Sequence, residues 1–450
     1  MSAGGLIPVA GWTPTVLDRL DRRLNARDGA PVEVALSGGG DSVALLRLAH
    51  AWAGRAGRPL VAVTIDHGLQ PESAAWARFA AERAARLGVA HRTLAWTGDK
   101  PTSGVPAAAR AARHALLATA ARKAGARVIL MGHTADDALE ALEMRRLGTT
   151  TPTPAAWAPS PAWPEGRGVF LLRPLLRVRR AELRAWLSLL GESWIEDPAN
   201  EDPRYNRAAA RRRLAGTEAE APSPRCDRAV SLEGIDEGLG GELTAPRAAL
   251  IAGPGARRRL GAMILCAAGH DRPARRDALE RLMQRLEGPG DLIATLAGAR
   301  LEARGERVMV CREAGERARG ERARGERARG ARGRALAERA LPPGETVFDG
   351  RFLMRTAGPG FRVAALGGLA QRLPAAERRR LRAIPASARG ALPAAIWAGS
   401  SGAETLSCPI LALDGPVAAR PLGLGRLRAA LGVYTDEKAL WRVAEVDPGA

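Results

Sequence analysis

Three short polar stretches in the first third of the chain carry residue types that can bind an anion and do chemistry. Ser37-Gly38-Gly39-Gly40-Asp41-Ser42 separates two apolar runs. Asp66-His67-Gly68 follows another such run, and His133 to Glu140, reading HTADDALE, follows a further one. A strand that ends in glycines and feeds a helix gathers backbone N–H donors into one concavity, and the helix dipole reinforces them. Such a cradle binds phosphate. No Gly-Lys-Ser/Thr follows it, so it is not a Walker A loop, and GxGxxG spacing is absent, which excludes the dinucleotide fingerprint. A plain glycine turn is the competing reading, and the flanking Ser37, Asp41 and Ser42 weigh against it.

The surrounding pattern says what must position these stretches. Short apolar runs at 31–36, 59–66, 89–96 and 126–132 read as strands. Segments 42–57, 71–88, 105–125 and 134–148 have helical spacing, with Gly57, Gly88 and Gly125 at or near their ends. The alternation predicts an α/β fold, a doubly wound, mostly parallel sheet with helices on both faces. Ligands of such sheets sit beyond the C-terminal strand ends, and all three polar stretches fall there. A Pro- and Trp-rich stretch at 149–168 reads as a lid or mobile insertion, and 195–214 is turn-rich and polar. Beyond about 215 the pattern changes to amphipathic helices over 244–288 and paired strands over 291–313. Residues 315–334 repeat Gly-Glu-Arg-Ala-Arg and have no apolar face to bury. The expected division is a catalytic domain at 1–215, a helical and mixed domain at 216–313, an Arg-rich linker at 314–340 and a small mixed domain at 341–450.

Of 450 residues 46% are hydrophobic, enough for sizeable cores. The net charge of +20 is carried almost wholly by arginine, since lysine occurs at 100, 123 and 438 alone. Such charge suits a polyanionic partner, and a general compositional bias toward arginine explains it about equally well. Cys226, Cys266, Cys311 and Cys408 form no CxxC pair, which argues against a clustered-thiolate metal site. With no signal-peptide pattern and no apolar run of spanning length, the expectation is a cytoplasmic protein without a membrane partner.

The loop SGGGDS resembles the pyrophosphate-binding loop of the PP-loop ATP pyrophosphatases, which cut ATP between its α- and β-phosphates. TIDHGL (64–69), VPAAARAARHALL (105–117), MGHTADDALE (131–140), and LLRPLL through RAELRAWL to GESWIEDPANEDPRYNR (171–207) are similar, in order and spacing, to stretches of the tRNA(Ile)-lysidine synthetases. The resemblance covers about residues 30–213 and is loose beyond. It implies an ATP-dependent ligase that adenylates C2 of the wobble cytidine in a CAU-anticodon tRNA(Ile). Free L-lysine then displaces AMP. A thiolase-type PP-loop enzyme and a catalytically impaired tRNA-binding protein are the alternatives, and dimerisation stays open.

That resemblance implies roles for particular residues. Ser37, Gly38, Gly39, Gly40, Asp41 and Ser42, with Asp66 and His67, would bind ATP. Asp41 and Asp136 would meet Mg2+, with Asp137 an alternative to Asp136. Arg110, Arg113, Asp137 and Glu140 would hold lysine or phosphate, and Asp41, His133, Asp137 and Glu140 would be catalytic. Each has a plainer reading: Asp136-Asp137 as a helix cap, the arginines as solvated helix residues, His133 as a structural histidine, Asp66-His67 as a turn. Thr134, Ala138 and Ala141 depart from the family's HHADDQxET pattern, in which His, Gln and Thr stand at those places.

Overall fold

Val32–Ala35 (β1), Leu60–Asp66 (β2), Ala90–Ala95 (β3) and Val128–Leu130 (β4) are the strands that the apolar runs predict. The structure, a computed structural model, describes residues 9–149, 151–197, 206–214, 229–314, 337–399 and 402–440. Two further strands, Trp157–Pro159 (β5) and Phe170–Leu172 (β6), complete a six-stranded sheet of order β3-β2-β1-β4-β6-β5. All neighbours pair in parallel except β5, which runs antiparallel on the edge. The expected α/β sheet is therefore present. Strand order reverses between β1 and β4, which leaves a crevice at their C-terminal ends.

Helices Thr13–Arg23 (α1), Gly40–Ala56 (α2), Ser73–Arg86 (α3) and Arg180–Leu189 (α6) cover one face. They pack Val16, Leu20, Leu45, Leu48, Trp52, Ala84 and Trp186 against Val32 and Val34. Val105–Ala124 (α4) covers the other face, with Leu117 and Ala121 against Val61, Val63, Ile129 and Leu171. Gly57 and Gly125 end α2 and α4 in the left-handed conformation, which costs a glycine little. The stretch expected as a lid supplies the edge strand β5 instead. Its Trp157 stacks on Phe170 at 5.0 Å, a contact that orders the segment. Residues 198–205, most of the EDPAN stretch, and the repeat at 315–334 lie outside the described residues.

The chain divides into two compact units, Met1–Arg228 with Tyr434–Ala450, and Ala229–Val433. In the second, Leu243–Pro246, Ala299–Arg304 and Arg307–Arg312 belong to a five-stranded antiparallel sheet, backed by the helices Ala256–Ala268 and Arg276–Glu287. A four-stranded and a three-stranded sheet follow around a separate core. Arg312 and Arg351, both buried, share the Asp349 carboxylate at 3.1 and 2.9 Å. Cys266, Cys311 and Cys408 are buried free thiols whose pKa burial raises to about 11 or 12.

Glu33 breaks the apolar pattern of β1. Its pairing with Val61 and Ile129 turns it onto the α4 face, fully buried, with no hydrogen-bond partner for either carboxylate oxygen. Burial raises its pKa to about 8, opposed by Arg92. The folded chain therefore holds a proton here that the unfolded chain releases above the ordinary glutamate range, and stability falls as pH rises toward 8. His114, buried with neither ring nitrogen partnered and lowered to about 2, works in the opposite sense below its ordinary value of 6.5. Glu33 is thus best isolated between pH 6.5 and 8. We predict that Glu33→Leu removes a decline of up to about 1.4 kcal/mol per pH unit in that window. Urea unfolding at several pH values measures it, and parallel pH profiles for the variant and the natural chain would refute it.

Candidate active site

The loop after β1 answers why three glycines stand together. Gly38 has φ +85°, a conformation that L side chains rarely adopt. A Cβ there would lie 2.6 Å from Ile195 Cδ1, and one on Gly40 would touch the Trp194 ring at 3.4 Å. Residues 194–195 clasp the loop from behind: Ile195 N–H donates to Gly38 O at 2.9 Å, and Ile195 bridges Gly39. Two glycines thus serve the clasp. Gly39, at the N-cap of α2, faces no atom closer than 3.6 Å. Ser42 fixes the turn, its hydroxyl donating to Gly39 O at 2.8 Å and accepting from Ser37 N–H at 3.2 Å. From below, Gly132 lets β4 approach the first turn of α2, where a Cβ would meet Asp41 O at 3.1 Å. The clasp is held by Glu192, whose carboxylate pairs with Arg47 of α2 and with Arg83 of α3.

On the other side of the crevice, Ala135–Arg146 (α5) begins with a capping box. Asp137 Oδ2 accepts from Thr134 N–H at 2.7 Å and Thr134 Oγ1 at 3.0 Å. The plain reading of Asp137 as a cap therefore holds for one oxygen, and Thr134, one of the family departures, has a structural task. The other oxygen, Oδ1, lies 3.8 Å from Arg180. Ala138 and Ala141, the other departures, are buried in the helix.

Arg180 is the residue that joins the parts. Its Nε is 3.1 Å from Asp41 Oδ2, its Nη1 is 3.2 Å from Glu140 Oε1, and its backbone N–H donates to Asp136 Oδ2 at 2.7 Å. Arg211 also reaches Glu140, at 2.6 Å, and Arg179 reaches Asp136 at 3.1 Å. Burial pulls the Arg180 guanidinium down, but Asp41, Asp137 and Glu140 more than reverse this and raise its pKa. Asp41 is itself raised by burial, with Arg180 opposing. The sequence brings Asp41, Asp136, Asp137 and Glu140 together as expected, around a cation that sequence reasoning missed. The signal was present in RAEL, hidden among many ordinary arginines.

A second cluster is cationic. Arg173, buried after β6, donates from Nε to His133 Nδ1 at 3.2 Å. Burial lowers His133 well below its ordinary value, and Arg173, Arg113 and Arg110 add to this, so the imidazole is neutral. Arg173 is lowered to about 10 by burial and by Arg110 and Arg113. Arg110 and Arg113 thus lie close enough to act on both Arg173 and His133, and the cluster is cationic. Asp66 Oδ1 accepts from Gly68 N–H at 2.8 Å, a strand-end turn. His67 sits edge-on to Trp96, with Nδ1 buried and unpartnered. Among the described residues no three His, Cys, Asp or Glu side chains converge as a metal cage.

A parallel sheet, a glycine cradle at its switch point, and carboxylate and guanidinium clusters on the same rim define a nucleotide-dependent enzyme of the PP-loop class, and residues 13–218 match the PP-loop domain. The chain is 45% identical to the tRNA(Ile)-lysidine synthase of Caulobacter vibrioides, over 93% of this chain and 97% of that one. It is 41% identical to that of Hyphomonas neptunium over 63% and 82%, and 34% identical to that of Rhizobium meliloti over 74% of each. The chain belongs to the tRNA(Ile)-lysidine synthase family.

Two glycine substitutions separate clasp from cradle. Gly38→Ala is expected to destabilise by about 1–3 kcal/mol through the forced φ and the Ile195 clash. Gly39→Ala is expected to leave the melting temperature near that of the natural chain and to weaken ATP binding. Thermal melts and ATP titrations on both variants check this, and equal destabilisation by the two would contradict it.

Proposed function

We propose how the residues of this rim divide the work of the family's reaction. The chain is an ATP-dependent ligase that forms lysidine on tRNA(Ile). Convergence of Asp41, Asp136, Asp137 and Glu140 on the crevice beside the glycine loop carries the reading. The backbone N–H groups of 38–42 and the start of α2 receive the β- and γ-phosphates, because orphan donors and the dipole favour an anion there. The C2 carbonyl oxygen of the wobble cytidine in the CAU anticodon attacks the α-phosphate. A P–O bond forms and pyrophosphate leaves. Arg110, Arg113 and Arg173 face the charge that develops on it, and the neutral His133 donates to phosphate or base.

The second step needs a cationic amine brought in and deprotonated. Glu140 and Oδ1 of Asp137 hold the lysine ammonium, and one of them takes its proton as the amine attacks C2 and AMP departs. Magnesium fits this donor set. It usually arrives with the nucleotide, takes one or two carboxylates, and fills its shell with phosphate oxygens and water. Asp41 and Asp136 are oxygen donors of that kind, and the bound ion would neutralise the phosphates. Among the described residues no helix is long and apolar enough to cross a membrane, in keeping with a cytoplasmic site of action.

The decisive experiment incubates the purified chain with ATP, magnesium, labelled lysine and tRNA(Ile) with a CAU anticodon. Lysine appears in the tRNA. No incorporation, beside an active lysidine synthase, would sink the reading. Glu140→Gln is expected to raise half-saturating lysine by at least about tenfold, the loss of one charge-assisted contact, while pyrophosphate release persists. If both half-reactions fail together, the role given to Glu140 is wrong.

A further inference from the structure

The first unit is discontinuous: the chain leaves it at Arg228 and returns at Tyr434. What the returning segment touches is specific. The Trp157 indole N–H donates to Tyr434 O at 2.7 Å. Phe170 lies between these two residues, stacked on Trp157 at 5.0 Å and met edge-on by Tyr434 at 5.8 Å. Glu437 anchors the segment. Its carboxylate accepts from Arg58 Nη1 at 3.0 Å, Arg58 Nη2 at 3.2 Å and Asn25 N–H at 2.7 Å. Both side chains of this ion pair are at most 1% exposed. Arg127 Nη1 donates to Leu440 O at 3.3 Å. A buried pair of this kind is strongly destabilising to break, because it leaves one charge uncompensated. It therefore fixes the segment in one register.

The residues beside Trp157 lead to the rim. Arg173 N–H donates to Ala156 O at 2.8 Å, and Arg173 Nη1 donates to Ala155 O at 2.8 Å. Those two carbonyls immediately precede Trp157. With its backbone and one guanidinium nitrogen so held, Arg173 keeps its Nε on His133 at 3.2 Å. We infer that the C-terminal strap, residues 434–440, positions Arg173 and His133 through Trp157, and so is a working part of the phosphate-facing side of the site. The inference rests on the reading that Arg173 faces the phosphates. The strap, Trp157 and Glu437 act through Arg173 and are positioning elements that touch no substrate.

The test uses the full chain. Trp157→Phe keeps a ring on Phe170 and removes the N–H that meets Tyr434 O. Glu437→Gln loosens the anchor without touching Trp157. Both are expected to slow pyrophosphate release, measured with ATP and tRNA, on the order of tenfold, since small misplacements of positioning groups have effects of this size or larger. Half-saturating lysine is expected to stay unchanged, and Trp157→Phe to melt within a few degrees of the natural chain. Arg173→Ala is the control. Wild-type release by Arg173→Ala overturns the Arg173 assignment and the inference with it. Slow release by Arg173→Ala with wild-type release by both strap variants overturns the inference alone. Loss of pyrophosphate release and lysine transfer in equal proportion, tracking the folded fraction, makes the strap a mere staple and also overturns it. Should Glu437→Gln fail to fold, Trp157→Phe decides.

Discussion

One guanidinium among three carboxylates holds the rim together. Arg180 reaches Asp41 on α2 and Glu140 on α5 from the first turn of α6, while its own N–H ties Asp136. Without a cation there, Asp41, Asp137 and Glu140 would repel one another across a half-buried space. The guanidinium keeps them close. It also stands where the proposed lysine ammonium or metal ion would find its partners, so binding as proposed would exchange one cation for another in a preformed anionic seat. That is economical electrostatically, because neither the filled nor the waiting site leaves buried charge uncompensated.

The opposite wall of the crevice is built on close approach. Glycine at 38 and 40 admits Ile195 and Trp194, and glycine at 132 admits the α2 backbone. The clasp at 194–195 is tied by Glu192 to α2 and α3 through Arg47 and Arg83. The glycine loop is thus supported on two sides by segments distant in sequence, as the proposed phosphate donors would need to keep their geometry when charge develops.

This explains what the sequence made legible. Strand and helix periods survive in β1, β2 and β4 and in α2 to α4, because each buries a face in the same sheet. The carboxylates of α5 were visible because they follow a strand end at helical spacing, although one oxygen of Asp137 also serves as a cap. Arg180, Arg173 and Arg211 were not visible as individuals, since 65 arginines look alike until a fold chooses among them. The glycines read as phosphate ligands, but their tight neighbours at 194–195 could not be read from spacing. The edge strand β5 was hidden for another reason. Three residues among prolines carry no period, and their order comes from Trp157 stacking on Phe170 and from Tyr434, more than 270 positions away.

The arginines also bear on the net charge. Arg58 donates to Ala30 O, and Arg247 to the carbonyls of Leu286, Gly288, Gly290 and Gly305. Arg259 reaches Ser231 O, and Arg351 reaches Ala391 O. All four are buried, and each uses its planar fork to satisfy loop carbonyls and helix ends that other proteins cap with small polar side chains or water. In a chain with few aromatics, these long side chains also fill space. Not every arginine counted in the +20 is therefore available to face RNA. Part of it is structural glue, spent on backbone oxygens inside each unit. The electrostatic footprint for tRNA has to be sought among exposed arginines whose partners are weak, not in the sum.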